Sequence, residues 1–246
     1  MWTPDATFNF EHRFVLLTEG PADRKLLETL ISKRRLPRFD CPFPVFPEEQ
    51  ATAKAKQLHG FDNITAMLEM LNVYFRASDV LRSQILGVLV VVDARDCADK
   101  TFLDVKRKIQ RAGSFGVPQS EGTIGPSNGD HPRVAVITLP GGGRPGSLET
   151  MYVEALSPRF RSAAYCVEKF VKCGNIGVST WNAEKQAKAR LQCLVAATNE
   201  DDPSKGAGYI LSLKRKGDKA PLIKMTQKCF EPTFIAMKTF CAELNG

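Results

Sequence analysis

The sequence predicts an α/β fold: a mostly parallel sheet flanked by helices, with a helical C-terminal extension. Two observations carry this. Three short runs rich in strand formers, residues 12–18 (HRFVLLT), 85–92 (ILGVLVVV) and 133–139 (RVAVITL), are each followed by a segment with apolar residues at helical spacing. The middle run is apolar at nearly every position, the pattern of a strand buried on both faces of a parallel sheet. Strands alternating with helices specify a doubly wound layer architecture.

Taken in order, 12–18 ends at Glu19-Gly20-Pro21, and Leu26, Leu27, Leu30 and Ile31 then mark a helix over 22–33 that Pro21 can open. Residues 41–47 (CPFPVFP) are studded with proline, which cannot donate to a ladder, so they read as an edge strand or extended linker. Apolar residues at helical intervals from Ile64 to Phe75 predict one helix over 63–84. The strand 85–92 ends at Asp93, and a basic amphipathic helix follows over 101–111. Five glycines and three prolines between 112 and 132 predict a long loop, a class usually mobile or functional. Strand 133–139 runs into PGGGRPG (140–146) and then a helix over 147–155, with Ser147 or Gly146 near its N-cap. Helices are expected at 161–171, 183–197 and 230–244, with a polar loop at 199–208.

The 246 residues suffice for a substantial core, and 43% hydrophobic beside 25% charged residues excludes a long disordered chain. The net charge of +7 favours anionic partners such as nucleic acid. The longest apolar run has eight residues, far short of the roughly 20 a membrane helix needs. Residues 1–13 show no apolar signal segment, so the expectation is a cytoplasmic protein without membrane contact. Seven cysteines, scattered and without a Cys-x-x-Cys pair, read as reduced and mostly buried thiols, not as a zinc site or a disulfide scaffold.

Placed on this layout, the acids fall where strands end. Glu19 follows the first strand and Asp23 lies one turn into the next helix. Asp93 closes the buried strand, with Asp96 and Asp99 beyond it, and Glu149 lies in the first turn after the glycine-rich segment. Ligands of open parallel sheets bind at the carboxyl edge of the strands. Carboxylates gathered there repel one another and call for a cation, and oxygen donors without His or Cys suit Mg²⁺ or Mn²⁺. Singly, Asp23 and Glu149 are equally well read as acids favouring a helix's first turn.

The motifs LTEGPAD (17–23), VVVDARD (90–96) and LP…GSLE (139–149), in this order, resemble the Toprim fold. They look closest to small stand-alone Toprim-like proteins related to OLD-family nucleases. The resemblance covers roughly residues 10–156. It implies a Toprim-like catalytic core over 1–156, with residues 157–246 as a mainly helical part packing on the same domain. It implies magnesium-dependent phosphodiester chemistry of the nuclease kind, with Glu19 and Asp93 catalytic and Glu19, Asp23, Asp93, Asp96 and Glu149 as metal ligands. It also implies a lysine on the 183–197 helix, Lys188 or Lys185, that stabilises the transition state. A setting in defence against phage or mobile DNA is implied too, beside an ATPase partner. The pattern departs at one place: the second Asp of Asp-x-Asp is Arg95 here, with Asp96 or Asp99 as substitutes.

Cationic clusters supply phosphate-tracking charge: Lys33, Arg34, Arg35 and Arg38; Lys106, Arg107, Lys108 and Arg111; and Lys214, Arg215, Lys216, Lys219 and Lys224. Arg95, Arg107, Lys108, Arg144, Lys214 and Arg215 are the candidate nucleic-acid contacts, although for any single cluster a solvated surface is the commoner reading. The glycine segment lacks the Gly-Lys-Ser/Thr ending of an ATP loop. The expected function is a Mg²⁺- or Mn²⁺-dependent nuclease acting on DNA or RNA. The alternatives are a non-catalytic nucleic-acid or partner-binding module on a degenerate scaffold, which Arg95 motivates, and a small-molecule phosphohydrolase.

Overall fold

The computed structural model describes residues 9–43, 60–173, 177–199, 207–212 and 221–246. Lys214 and Arg215 lie outside the described residues, as do Lys216 and Lys219. The chain divides into two compact units: Met1–Val92 with Asp99–Thr138 and Ile235–Gly246, and Asp93–Ala98 with Leu139–Phe234.

The first unit is built on a four-stranded parallel sheet. Its strands are β1 (Phe14–Thr18), β2 (Phe39–Phe43), β3 (Gly87–Asp93) and β4 (Arg133–Leu139), in the order β2-β1-β3-β4. α1 (Pro21–Arg34) follows β1, α2 (Ile64–Ala77) and α3 (Asp79–Gln84) precede β3, and α4 (Ala98–Ala112) follows it. Side chains of a strand alternate between faces, so a strand covered on both sides must be apolar throughout. β1 is buried at all five positions and β3 at six of seven. On one face Val15, Leu17, Val88, Val90, Val134 and Val136 join a core with Met67, Leu71 and Phe75 of α2 and Val105 and Ile109 of α4. At the start of β1, Phe14 lies 5.4 Å from Phe39 and 5.7 Å from Phe240, ring centre to ring centre. β2 sits at the sheet's edge and its register against β1 shifts between Asp40 and Phe43, around Pro42, which has no N–H to give a ladder; residues 44–47 of the expected extended segment lie outside the described residues.

One expected element needs correction. The helix foreseen over 63–84 is broken. Ser78 takes an extended conformation and its Oγ accepts the Leu81 N–H at 3.3 Å, so a serine cap starts α3 where apolar spacing alone suggested continuity. The glycine-rich stretch after α4 is the long loop expected, and part of it is held against β4. Gly122 and Gly125 donate to Val136 and Val134 at 2.8 and 2.7 Å, laying an antiparallel cover along β4. The Glu121 carboxylate accepts both the N–H and the hydroxyl of Thr138. Glycine is required at Gly116, where an added Cβ would stand 1.8 Å from the Pro126 carbonyl oxygen.

The second unit is helical: α5 (Leu148–Leu156), α6 (Arg161–Val171) and α7 (Ala183–Thr198), with the start of α8 (Glu231–Asn245). α7 buries Ala187, Leu191, Leu194 and Val195, a three-and-four spacing that forms one apolar stripe. Arg190 of α7 pairs with Glu168 of α6 at 2.7 Å. Gln227 donates to the Ala155 carbonyl at 2.8 Å and Arg159 to that of Leu222 at 3.0 Å, binding the later chain to α5. Of the cysteines, Cys41, Cys229 and Cys241 are buried, whereas Cys97, Cys166 and Cys173 are exposed, so the expectation of mostly buried thiols does not hold. Among the described residues no helix is long and apolar enough to cross a membrane.

Candidate functional site

Within the first unit, Glu19 leaves β1 directly. The parallel register sets Thr18 against Val91 of β3, so β1 and β3 end at the same edge of the sheet. The turn after β1 is tight: the Glu19 carbonyl accepts the Gly60 N–H, and Arg24 donates back to Gly20 at 3.1 Å. Pro21 opens α1 and no side chain caps it. The Asp23 carboxylate folds back over this turn, its Oδ2 only 3.4 Å from where a Cβ on Gly20 would lie.

The second unit collects most of the remaining candidates. The Asp93–Asp96 turn is stitched to the glycine segment by backbone bonds. Ala94 donates to Leu139 at 2.8 Å, and Arg95 and Gly146 exchange N–H···O bonds of 2.7 Å in both directions. Arg95 holds φ +59°, which aims the peptide after Asp93 back toward that segment. Gly146 holds φ +134°, and a side chain there would meet Thr150 at 2.6 Å. The segment therefore reaches α5 with its amides facing the strand end. The Leu148 N–H, the first of α5, donates to Asp93 Oδ1 at 2.9 Å. Glu149 sits in the same first turn and accepts the Ser147 hydroxyl at 2.7 Å through Oε2. A carboxylate offers about four lone-pair positions, so one such bond orients each acid without exhausting it.

α7 brings the lysine. Asn182 caps the helix by accepting the Lys185 N–H at 2.9 Å. Lys188 is hydrogen-bonded by Glu184, one turn earlier. Burial works to lower the Lys188 ammonium, but the Glu184 bond and the negative charges of Glu149, Glu184 and Asp93 outweigh it and hold its pKa above the ordinary lysine value. Lys188 therefore stands in the field of both Asp93 and Glu149. Glu184 escaped the sequence reading, although its four-residue spacing to Lys188 is the signal that identifies it.

The other candidates are placed differently. Asp96 is exposed and its Oδ1 accepts the Ala183 N–H at 2.7 Å, which commits it to the start of α7. Asp99 lies in the first turn of α4. Arg144 is engaged by Glu154 at 2.9 and 3.4 Å. Arg107 pairs with Asp104 at 2.9 Å, and Lys108 stands 4.9 Å over the Phe61 ring. Among the described residues no three His, Cys, Asp or Glu side chains are already gathered to hold a metal ion. The donor chemistry of Asp93 and Glu149, carboxylate oxygens only, nonetheless suits a hard cation.

These features define an α/β protein whose parallel strands end in acidic groups, one of them joined to the first turn of a helix and watched by a lysine. The chain belongs to a family described as a protein of unknown function (DUF3226), whose model matches residues 13–226. No curated protein and no solved structure matches it.

Proposed function

We propose that this protein is a Mg²⁺- or Mn²⁺-dependent nuclease that hydrolyses phosphodiester bonds of DNA or RNA. The observation that carries the reading is Asp93, at a strand end, bonded to the first turn of α5 in which Glu149 sits, with Lys188 of α7 in the field of both acids. Asp93 and Glu149 are the residues that would hold the cation. When bound, the cation activates water and offsets charge on the leaving oxygen. Lys188 remains protonated at neutral pH and places positive charge where a phosphoryl group gains negative charge. Glu184 fixes its direction. The Leu148 amide holds the Asp93 carboxylate in one orientation. The likeness of the three motifs to Toprim nucleases supports the same reading. Defence against phage or mobile DNA, beside an ATPase partner, is the setting it proposes.

A second reading is favoured by Arg95 at the place of an acid and by Asp96 being committed to α7. It is a non-catalytic module that binds nucleic acid or a partner. Incubating the whole chain with duplex DNA, single-stranded DNA and RNA separates the two. The nuclease reading expects cleavage with Mn²⁺, abolished by chelator and by Asp93→Asn or Glu149→Gln. No cleavage of any substrate, together with binding that weakens with salt and ignores chelator, overturns it in favour of the module.

A further inference from the structure

A recess of about 490 Å³ opens at the opposite end of β1, where α1 finishes and β2 begins. β1 runs from Phe14 to Thr18, so this recess and Glu19 are separated by the strand's length, roughly 16 Å at about 3.3 Å per residue. The recess lies wholly in the first unit and plays no part in the site above. Ile31 and Phe39, both nearly buried, form part of its wall, and His12, Ser32, Arg35 and Arg38 bring polar groups to it. The His12 backbone is pinned: the Asp40 carboxylate, 7% exposed, accepts the His12 N–H at 2.8 Å and the Glu11 N–H at 3.0 Å. Glu28, the carboxylate on this wall, is already paired with Arg24 at 2.8 Å. Among the described residues neither Arg35 nor Arg38 has a carboxylate partner, and both are exposed.

The two arginines are not needed to complete α1. Lys33 and Arg34 already supply cations to its last turn, where the helix dipole is felt. Arg35 moreover takes φ +56° at the C-cap, a conformation that glycine or asparagine adopts more readily. What remains is an apolar wall beside two unneutralised guanidinium forks, a hydroxyl and an imidazole. A guanidinium matches phosphate oxygens two at a time. The volume lies within the range of small-ligand pockets.

We propose that this recess binds a nucleotide, its phosphate held by Arg35 and Arg38 and its base or sugar lying against Ile31 and Phe39. Free nucleotides and a nucleotide unit of a nucleic-acid strand share this chemistry. The site is independent of the nuclease reading, and its test is run in chelator so that metal-dependent chemistry does not contribute.

Isothermal titration of the whole chain is carried out with adenosine 5′-monophosphate, adenosine and a short oligothymidylate. Arg35→Asn/Arg38→Gln removes both forks while keeping a residue suited to the left-handed cap, and circular dichroism verifies its fold. Lys100→Gln/Lys172→Gln removes the same charge from exposed positions off the recess. Binding of the monophosphate but not adenosine, weakened about tenfold or more by the arginine pair and little by the lysine pair, supports a free-nucleotide site. Binding of the oligonucleotide alone, with the same dependence on the arginines, supports the strand as source. Absence of all binding, indifference to the arginine pair, or equal loss with the lysine pair overturns the proposal.

Discussion

Asp93 is assigned two duties, and substitution separates them. Its Oδ1 accepts the first N–H of α5 at 2.9 Å, so Asp93→Ala leaves that amide without its charged acceptor. Loss of such a cap costs about 1–2 kcal/mol. Loss of a negative charge at the helix start adds roughly 0.3–1 kcal/mol. About 2 kcal/mol in total, at 2–4 °C per kcal/mol for a chain of this size, lowers the melting temperature by roughly 4–8 °C. Asp93→Asn keeps an oxygen for Leu148 and loses only the charge, so its melting temperature falls by about 1–3 °C. The fall is tempered wherever relief of repulsion from Glu149 offsets the lost attraction to Lys188. On the nuclease proposal, both variants should lose metal-dependent cleavage. Differential scanning calorimetry beside an oligonucleotide cleavage assay reads both duties on one set of samples. Asp93→Asn melting as low as Asp93→Ala would refute the capping argument, and an active Asp93→Asn would refute the catalytic one.

Gly116→Ala forces a Cβ to within 1.8 Å of a backbone carbonyl that has no side chain to yield, so the urea midpoint should fall by an amount worth about 3 kcal/mol or more. For Lys188, whose folded pKa lies above its unfolded value of 10.5, the stabilisation is fully present below pH 10.5 and is lost as pH rises through the folded value. Lys188 is half exposed, so Lys188→Gln should cost only about 0.3–0.5 kcal/mol at pH 8, and urea titrations should find that difference vanishing in strong alkali. Burial raises the Asp40 carboxyl above its ordinary 3.8, against the pull of the His12 and Glu11 amides and the His12 charge. Its contribution to stability is therefore greatest below that value and declines as pH rises through the folded one. Asp40→Asn, which keeps an oxygen for both amides, should raise the pH 7 urea midpoint, and the gain should disappear near pH 3. Burial pushes the Cys41 and Cys241 thiols up to about 12 and Cys229 to about 11. A thiol reagent at pH 8 should therefore modify Cys97, Cys166 and Cys173 first and reach those three only after denaturation.

The sheet was legible because burial on both faces leaves an unbroken mark: 85–92 is apolar throughout, and β3 is the central run it predicts. α6 spans Arg161–Val171, the residues its apolar spacing marks, and β2 takes the edge that its proline requires. What stayed hidden depends on partners distant in sequence. The glycines of 112–132 signal turning, but their pairing with β4 is decided by an open strand edge that local pattern does not reveal. The break at Ser78 was masked by apolar residues that keep helical spacing on both sides of it. In the site, the acids at strand ends were readable from position, whereas the lysine on α7 came from the resemblance alone. That Asp96 would be drawn to the Ala183 amide, 87 residues away, was not, because no local rule couples a turn to a remote helix start.

The central claim is that carboxylates at the strand ends hold a hard divalent cation. Electron paramagnetic resonance of Mn²⁺ added to the whole chain counts the bound ion directly. The account predicts a bound fraction in the native protein, displaced by excess Mg²⁺ and weakened at least about tenfold by Asp93→Asn and Glu149→Gln. Free Mn²⁺ throughout, or binding that both substitutions leave unchanged, would contradict it.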